Sequence, residues 1–206
     1  YLALKRSWVT RAELAALLDQ RDAFRRREVY GTSGPRIALR MFAGWDFSDS
    51  DGREKDLSVA GYRRGVPMGS DLPAAPRGRT APTLMIEAAR DPLSGNLDRI
   101  QVVKGWLDSA GGVHEKIYNV AWSGDRRVDA GGELPPVGNT VDARTATFRN
   151  DIGAPQLSVV WKDPQFDPAQ RAFYYVRVLE IPTPRHSTYD AVALQMPVEQ
   201  TKAPVW

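Results

Sequence analysis

Ala172-Phe173-Tyr174-Tyr175-Val176-Arg177-Val178-Leu179-Glu180-Ile181 is the stretch that decides the fold class. Aromatic and β-branched residues crowd it, and these side chains fit a pleated, packed surface. Its near-continuous apolarity predicts a strand buried on both faces, in the interior of a sheet. In that position Tyr175 would be a core ring. Tyr175→Ala would then cost about 3–5 kcal/mol, as large aromatic truncations in cores do.

Working outward, the same pattern recurs. Residues 98–106 alternate Ile100, Val102 and Lys104 with Gln101, Val103 and Gly105. Residues 116–122 follow, and Gly111-Gly112 just before them reads as a hairpin turn. Residues 83–89, 145–148 and 157–161 read as further strands, as does the alternation of Ile37, Leu39 and Met41. Val29-Tyr30 reads as a short strand entering a tight turn over residues 31–35. The chain has 17 Gly and 15 Pro, which suits many turns. The expected architecture is mainly β, an antiparallel sandwich of about seven or eight strands. Residues 66–82 are an irregular Pro- and Gly-rich loop, a length that is uncommon and often functional.

One helix is expected, over about residues 11–26. Thr10-Arg11-Ala12-Glu13 has the form of a capping box. Leu14, Leu17 and Leu18 give an apolar stripe, extended by Phe24. Arg25, Arg26 and Arg27 close it where the helix dipole favours cations.

The 28 Lys and Arg exceed the 25 Asp and Glu by only a net +3, spread along the chain. A basic pI of about 9.3 therefore gives no nucleic-acid footprint. The chain has no cysteine, which excludes disulfides and thiolate metal sites. No apolar run approaches the roughly 20 residues of a membrane-spanning helix.

No stretch forms a complete catalytic constellation. His186, Ser187 and Asp190 lie too close in sequence to converge as a triad from separate elements. His114 follows the Gly111-Gly112 turn and reads as a solvent-facing residue. Asp49-Ser50-Asp51-Gly52 hints at a calcium loop but lacks the ligand spacing. Asp163 and Asp167 flank a Pro-rich connection, where they could hold a hard cation or bond to their own turns. Thr32 and Ser33 offer hydroxyls beside Arg36, a group that could meet an anion or serve as a turn with a salt bridge.

Several long stretches resemble one family. They are Arg27-Glu28-Val29-Tyr30-Gly31-Thr32-Ser33-Gly34-Pro35-Arg36-Ile37, Gly65-Val66-Pro67-Met68-Gly69-Ser70-Asp71-Leu72-Pro73, and Ser94-Gly95-Asn96-Leu97-Asp98-Arg99-Ile100-Gln101-Val102-Val103-Lys104-Gly105-Trp106. Gly153-Ala154-Pro155 and residues 161–184 complete the match. Together they resemble the bacterial family called domain of unknown function 3604, which is similar to the polymerase and histidinol phosphatase (PHP) superfamily. His186 and Ser70 stand where that family commonly has Trp and Gly.

The resemblance implies a larger protein whose N-terminal α/β barrel binds divalent metal and acts as a hydrolase, with phosphoesters as one substrate class. Residues 1–36 would be the end of that barrel and residues 37–206 a C-terminal β-sandwich. This chain would then be non-catalytic by itself and carry no cofactor or metal ligand of its own. Its partner would be the missing barrel domain, and its compartment periplasmic or extracellular. Thr32, Ser33 and Arg36 would sit near the barrel mouth, where parallel α/β barrels keep their active sites. Met68, Ser70 and Asp71 would belong to a neighbouring substrate loop. The alternative is a non-enzymatic β-sandwich module that binds carbohydrate or protein. A barrel remnant would leave the apolar stripe of the helix facing something absent, whereas a self-contained module would cover it.

Overall fold

The alternating stretches pair into two antiparallel sheets in a computed structural model, which describes residues 11–54 and 56–198. Thr10, and the side chains of Glu13, Leu14 and Leu17, lie outside the described residues. Helix α1 spans Arg11–Arg26, with Arg25 and Arg26 in its last turn. Strand β1 is Ala38–Gly44, followed by a single 3-10 turn at Asp51–Arg53 and helix α2 at Leu57–Arg64. Strands β2 to β7 are Gly65–Pro67, Thr83–Ala89, Leu97–Leu107, Val113–Trp122, Gln156–Lys162 and Arg171–Glu180. Helix α3, His186–Ala193, follows.

One sheet has the order β2-β1-β3-β6 and the other β5-β4-β7. The register sets Met41 opposite Ile86 and Ile86 opposite Val159 in the first sheet. In the second, Val102 lies opposite both Tyr118 and Val176. Side chains alternate across a strand, so Leu84, Ile86 and Ala88 of β3 point one way and meet Ile100 and Val102 of β4, forming the core between the sheets. Phe42 and Met85 point the other way and are covered by Leu57 and Ala60 of α2 and by Phe47. Strand β3 is thus buried on both faces, and its continuous apolar run reflects that.

Strand β7 departs from expectation: it is an edge strand, paired only with β4. Tyr174, Val176 and Val178 face the core, but Phe173 and Tyr175 stand on the bare outer face, 62% and 44% exposed. Phe173 stays there because Gly105, opposite it on β4, leaves a hollow that its ring fills; any Cβ at Gly105 would meet that ring. Phe173 also stacks on Tyr175. Two more expected strands are absent. Residues 145–148 contribute only an isolated bridge, Asp142 to Thr147. Val29 and Tyr30 have no ladder partner and run as an irregular strap.

Helix α2 was not anticipated, although its signal is local. Asp56 caps it, its carboxylate accepting from the Ser58 backbone N–H at 2.9 Å. Gly61 weakens helical propensity but lets α2 press on the Phe42 ring, where a Cβ would collide.

Lys104 and Asp163 join the two sheets. Lys104 faces inward from β4 and is 2% exposed; its Nζ donates to Asp163 Oδ2 at 2.7 Å and to the Gln165 carbonyl at 2.7 Å. Tyr174 Oη donates to the same carboxylate oxygen at 2.6 Å. Burial, and then the neighbouring Asp163 carboxylate, push the Tyr174 phenol well above its ordinary range.

Two stability predictions follow from this packing. Tyr175→Ala should cost under about 1.5 kcal/mol, because the ring is half-exposed, whereas Met85→Ala should cost about 2–5 kcal/mol; urea unfolding midpoints rank the two. Lys104→Ala strands a buried carboxylate and should cost about 3–5 kcal/mol. The double variant Lys104→Met with Asp163→Leu should recover most of that loss in the same assay.

Candidate functional site

The sandwich closes on one side and gapes on the other. On the closed side β6 lies beside β5, with the Tyr118 and Trp161 rings 5.0 Å apart. Tyr118 Oη and Lys116 Nζ both donate to Gln165 Oε1 at 2.8 Å, tying the loop after β6 to β5. On the open side β1 and β7 are separated by a cleft. The strap of residues 27–35 crosses it, and Tyr30 divides it into two cavities of about 860 and 870 Å³. Tyr30 is anchored by its hydroxyl, which accepts from the Leu39 N–H on the free edge of β1 at 3.2 Å. Tyr62 donates to the Glu28 carboxylate and holds the start of the strap.

The first cavity has an apolar floor from Leu39, Val176 and Val178 and a polar end. At that end Glu180 accepts from Ser94 Oγ at 2.9 Å and from Thr183 Oγ1 at 3.1 Å. Burial pushes the Glu180 carboxyl up; the two hydroxyl bonds only partly offset this. Tyr189 of α3 lines the same end, and burial followed by the Glu180 charge raises its phenol. Thr32, Ser33 and His186 line this cavity as well.

The second cavity is aromatic. Trp45, Phe166, Tyr174 and Phe173 line it, with Trp45 and Phe166 packed edge to face at 5.8 Å. Met68, Ser70 and Asp71 form part of its rim. Trp45 Nε1 donates to the Pro73 carbonyl at 3.0 Å, and the Met68 N–H continues the β1 ladder to the Met41 carbonyl at 3.1 Å. Gly69 has φ +81°, and its Cα lies so close to the Arg27 carbonyl that a Cβ would overlap it. That contact docks the 68–75 loop on the strap.

The sequence-based candidates therefore divide between the two cavities. Thr32 and Ser33 share one, and Met68, Ser70 and Asp71 share the other. Arg36 lines neither; its side chain is exposed and its backbone N–H donates to Asp91 Oδ2 at 2.8 Å. Sequence reasoning misses Glu180, Ser94 and Tyr189, although an acidic residue closing a strongly apolar strand is a visible signal. His114 lies on the hairpin, stacked on Trp106 and bonded to Asp108 at 2.7 Å. Asp51 is committed to protein partners. Burial would raise its carboxyl, but bonds from Ser48 and Arg64 hold it below the ordinary range. Asp163 and Asp167 each accept from their own turns, at Gln165 and Ala169. Among the described residues no three His, Asp or Glu side chains are grouped to hold a metal ion. No helix among them is long and apolar enough to cross a membrane.

The family model described as protein of unknown function (DUF3604) matches residues 8–205, and the chain belongs to that family. No curated protein and no solved structure matches it.

Two predictions arise here. Gly69→Ala should destabilise the loop by about 1–3 kcal/mol, through its left-handed backbone and the Arg27 overlap, and raise hydrogen exchange across residues 68–75. The folded Glu180 pKa lies above its unfolded value, so the folded state prefers the protonated form. That preference is fully present below the ordinary carboxylate pKa and is lost as pH rises through the raised one. Glu180→Gln, which mimics the protonated form, should thus melt no lower than the parent at neutral pH, and the difference in melting temperature should vanish in acid.

Proposed function

We propose that this member of the DUF3604 family is the C-terminal β-sandwich of a larger, PHP-like bacterial protein, a metal-dependent hydrolase with phosphoesters as its substrate class. The sandwich packs beside the catalytic barrel and shapes its mouth. The metal would be held by the barrel, outside the described residues, and no step is assigned to the sandwich itself.

The state of α1 carries this reading. Phe24 is 70% exposed, and Leu18, Val29 and Tyr30 are also exposed. A short isolated helix is marginal in water, and helices in proteins draw most of their stability from burying an apolar face. Among the described residues, the Leu18 and Phe24 side chains of α1 are left exposed, as expected of a helix belonging to a neighbouring domain. The strap behind it would lead from that domain into the sandwich, with Thr32 and Ser33 in the cleft and Arg36 free to reach an anionic substrate. The aromatic second cavity supports another reading, a non-catalytic module that binds carbohydrate or protein. In that case α1 needs no partner.

The distinguishing experiment compares Phe24→Asp in two settings. In the isolated chain an exposed substitution should stay within about 0.5 kcal/mol. In a longer version carrying the upstream domain it should cost well over about 1 kcal/mol, read from the unfolding midpoint. Equal small effects in both would remove the neighbouring-domain reading. In that longer protein Arg36→Lys should lower turnover while leaving the melting temperature unchanged. Lost stability with turnover per folded molecule intact would make Arg36 structural.

A further inference from the structure

Glu180 is a half-buried carboxylate with no cationic partner among the described residues. Its described partners are the hydroxyls of Ser94 and Thr183 and the Gly95 backbone N–H, all neutral, and none of the described ion pairs includes it. The nearest basic residue along its strand, Arg177, turns to the opposite face and donates from Nε and Nη2 to Gln101 at 2.9 and 2.7 Å. Arg90 spends its Nη1 on backbone carbonyls of the 91–94 turn, the Ser94 carbonyl at 3.0 Å. Asp91, on the same turn, adds a second negative charge that disfavours ionised Glu180 further. The negative end thus opens into a cavity lined by Tyr30, Phe148, Tyr189, Val176 and Val178, with Thr32, Ser33 and His186 as its other polar groups.

We propose that this cavity binds an organic ammonium ion, with the charged nitrogen against Glu180 and the alkyl part against the Tyr30, Phe148 and Tyr189 rings. An unpaired carboxylate behind low-dielectric walls attracts a cation more strongly than it would in water. Aromatic faces add to that attraction for alkylammonium groups. The volume of about 860 Å³ falls within the range of small-molecule sites. Two other ligand classes fit less well. A bare divalent metal ion would find a single carboxylate, too few ligands for a closed site. A neutral sugar would leave the Glu180 charge uncompensated, and the Ser94 and Thr183 hydroxyls beside it already give their protons to that carboxylate. The proposal does not depend on a neighbouring barrel domain, and its test uses this chain alone.

The probes are n-butylammonium and choline, set against 3,3-dimethylbutan-1-ol, the uncharged carbon isostere of choline. Binding is followed by calorimetry and by NMR of the aromatic side chains, at low salt and about pH 8. Both cations should saturate, with the neutral isostere at least about tenfold weaker, a factor that one modest charge contact supplies. Glu180→Gln should remove the preference for the cation without lowering the melting temperature, and Glu180→Asp should retain part of it. Equal binding of the neutral isostere would overturn the proposal, as would undiminished cation binding by Glu180→Gln or no saturable binding of either cation. If Glu180→Gln does not fold, the comparison of choline with its isostere on the parent chain still decides.

Discussion

The buried contact between Lys104 and Asp163 sets the shape of this molecule. An ammonium group without water needs a counter-charge and filled hydrogen-bond sites. Lys104 obtains both from one short segment, the Asp163 carboxylate and the Gln165 carbonyl. The segment that follows β6 in one sheet is thereby drawn under the central strand of the other. Gln165 is held from β5 through Lys116 and Tyr118, and Tyr174 on β7 shares the Asp163 oxygen. Every strand of the second sheet is thus tied to one turn of the first. The sheets close on that side, and the cleft lies on the side without such a clamp. The same turn carries Phe166 against Trp45, so the wall of the aromatic cavity also depends on the ion pair.

Burial is unequal between the two sheets. The first is covered on both faces, by α2 on one side and by the second sheet on the other. The second has a bare outer face, where Phe173, Tyr175 and Ile117 are exposed beside a polar chain from Arg177 through Gln101 to Asn119. Apolar burial centres on β3 and on β4, whose Leu97, Ile100, Val102 and Val103 are fully buried as well. Changes along the free edge of β7 touch less buried surface.

Much of this fold was legible because β-strands write their burial into a two-residue period. The strands of residues 83–89 and 98–106 were read within a residue or so of their limits, and α1 was read by its apolar spacing. The rank of a strand within its sheet was not legible. Residues 171–180 look like an interior strand because Phe173 and Tyr175 are apolar, yet those rings cover a hollow left by Gly105 on a strand far away in sequence. Helix α2 was hidden by Gly61, whose cost to the helix is offset only once Phe42 is in place. The candidate site divided the same way. Thr32, Ser33 and Met68 announced themselves by their irregular surroundings. Glu180, Ser94 and Thr183 meet only through the turn of residues 90–96 and the pairing of Leu97 with Glu180.

That pairing explains why an acid stands at the end of the most apolar strand. The carboxylate is held at the rim of the cleft by two hydroxyls, with burial already opposing its charge. Burial alone would favour a neutral amide there, of nearly the same shape, whose oxygen accepts from one hydroxyl while its NH2 donates to the other. A carboxylate at one end of the cavity, with no cation beside it among the described residues, is what the proposed ammonium ligand would meet. The strap is consistent with this. It crosses the cleft but is anchored at few points, the Tyr30 hydroxyl on Leu39, Tyr62 on Glu28, and Gly69 beneath Arg27. Few anchors let one segment close two cavities while leaving each open to solvent. The Lys104–Asp163 pair fixes the opposite end of the sandwich, where its turn also supplies Phe166 to the aromatic cavity.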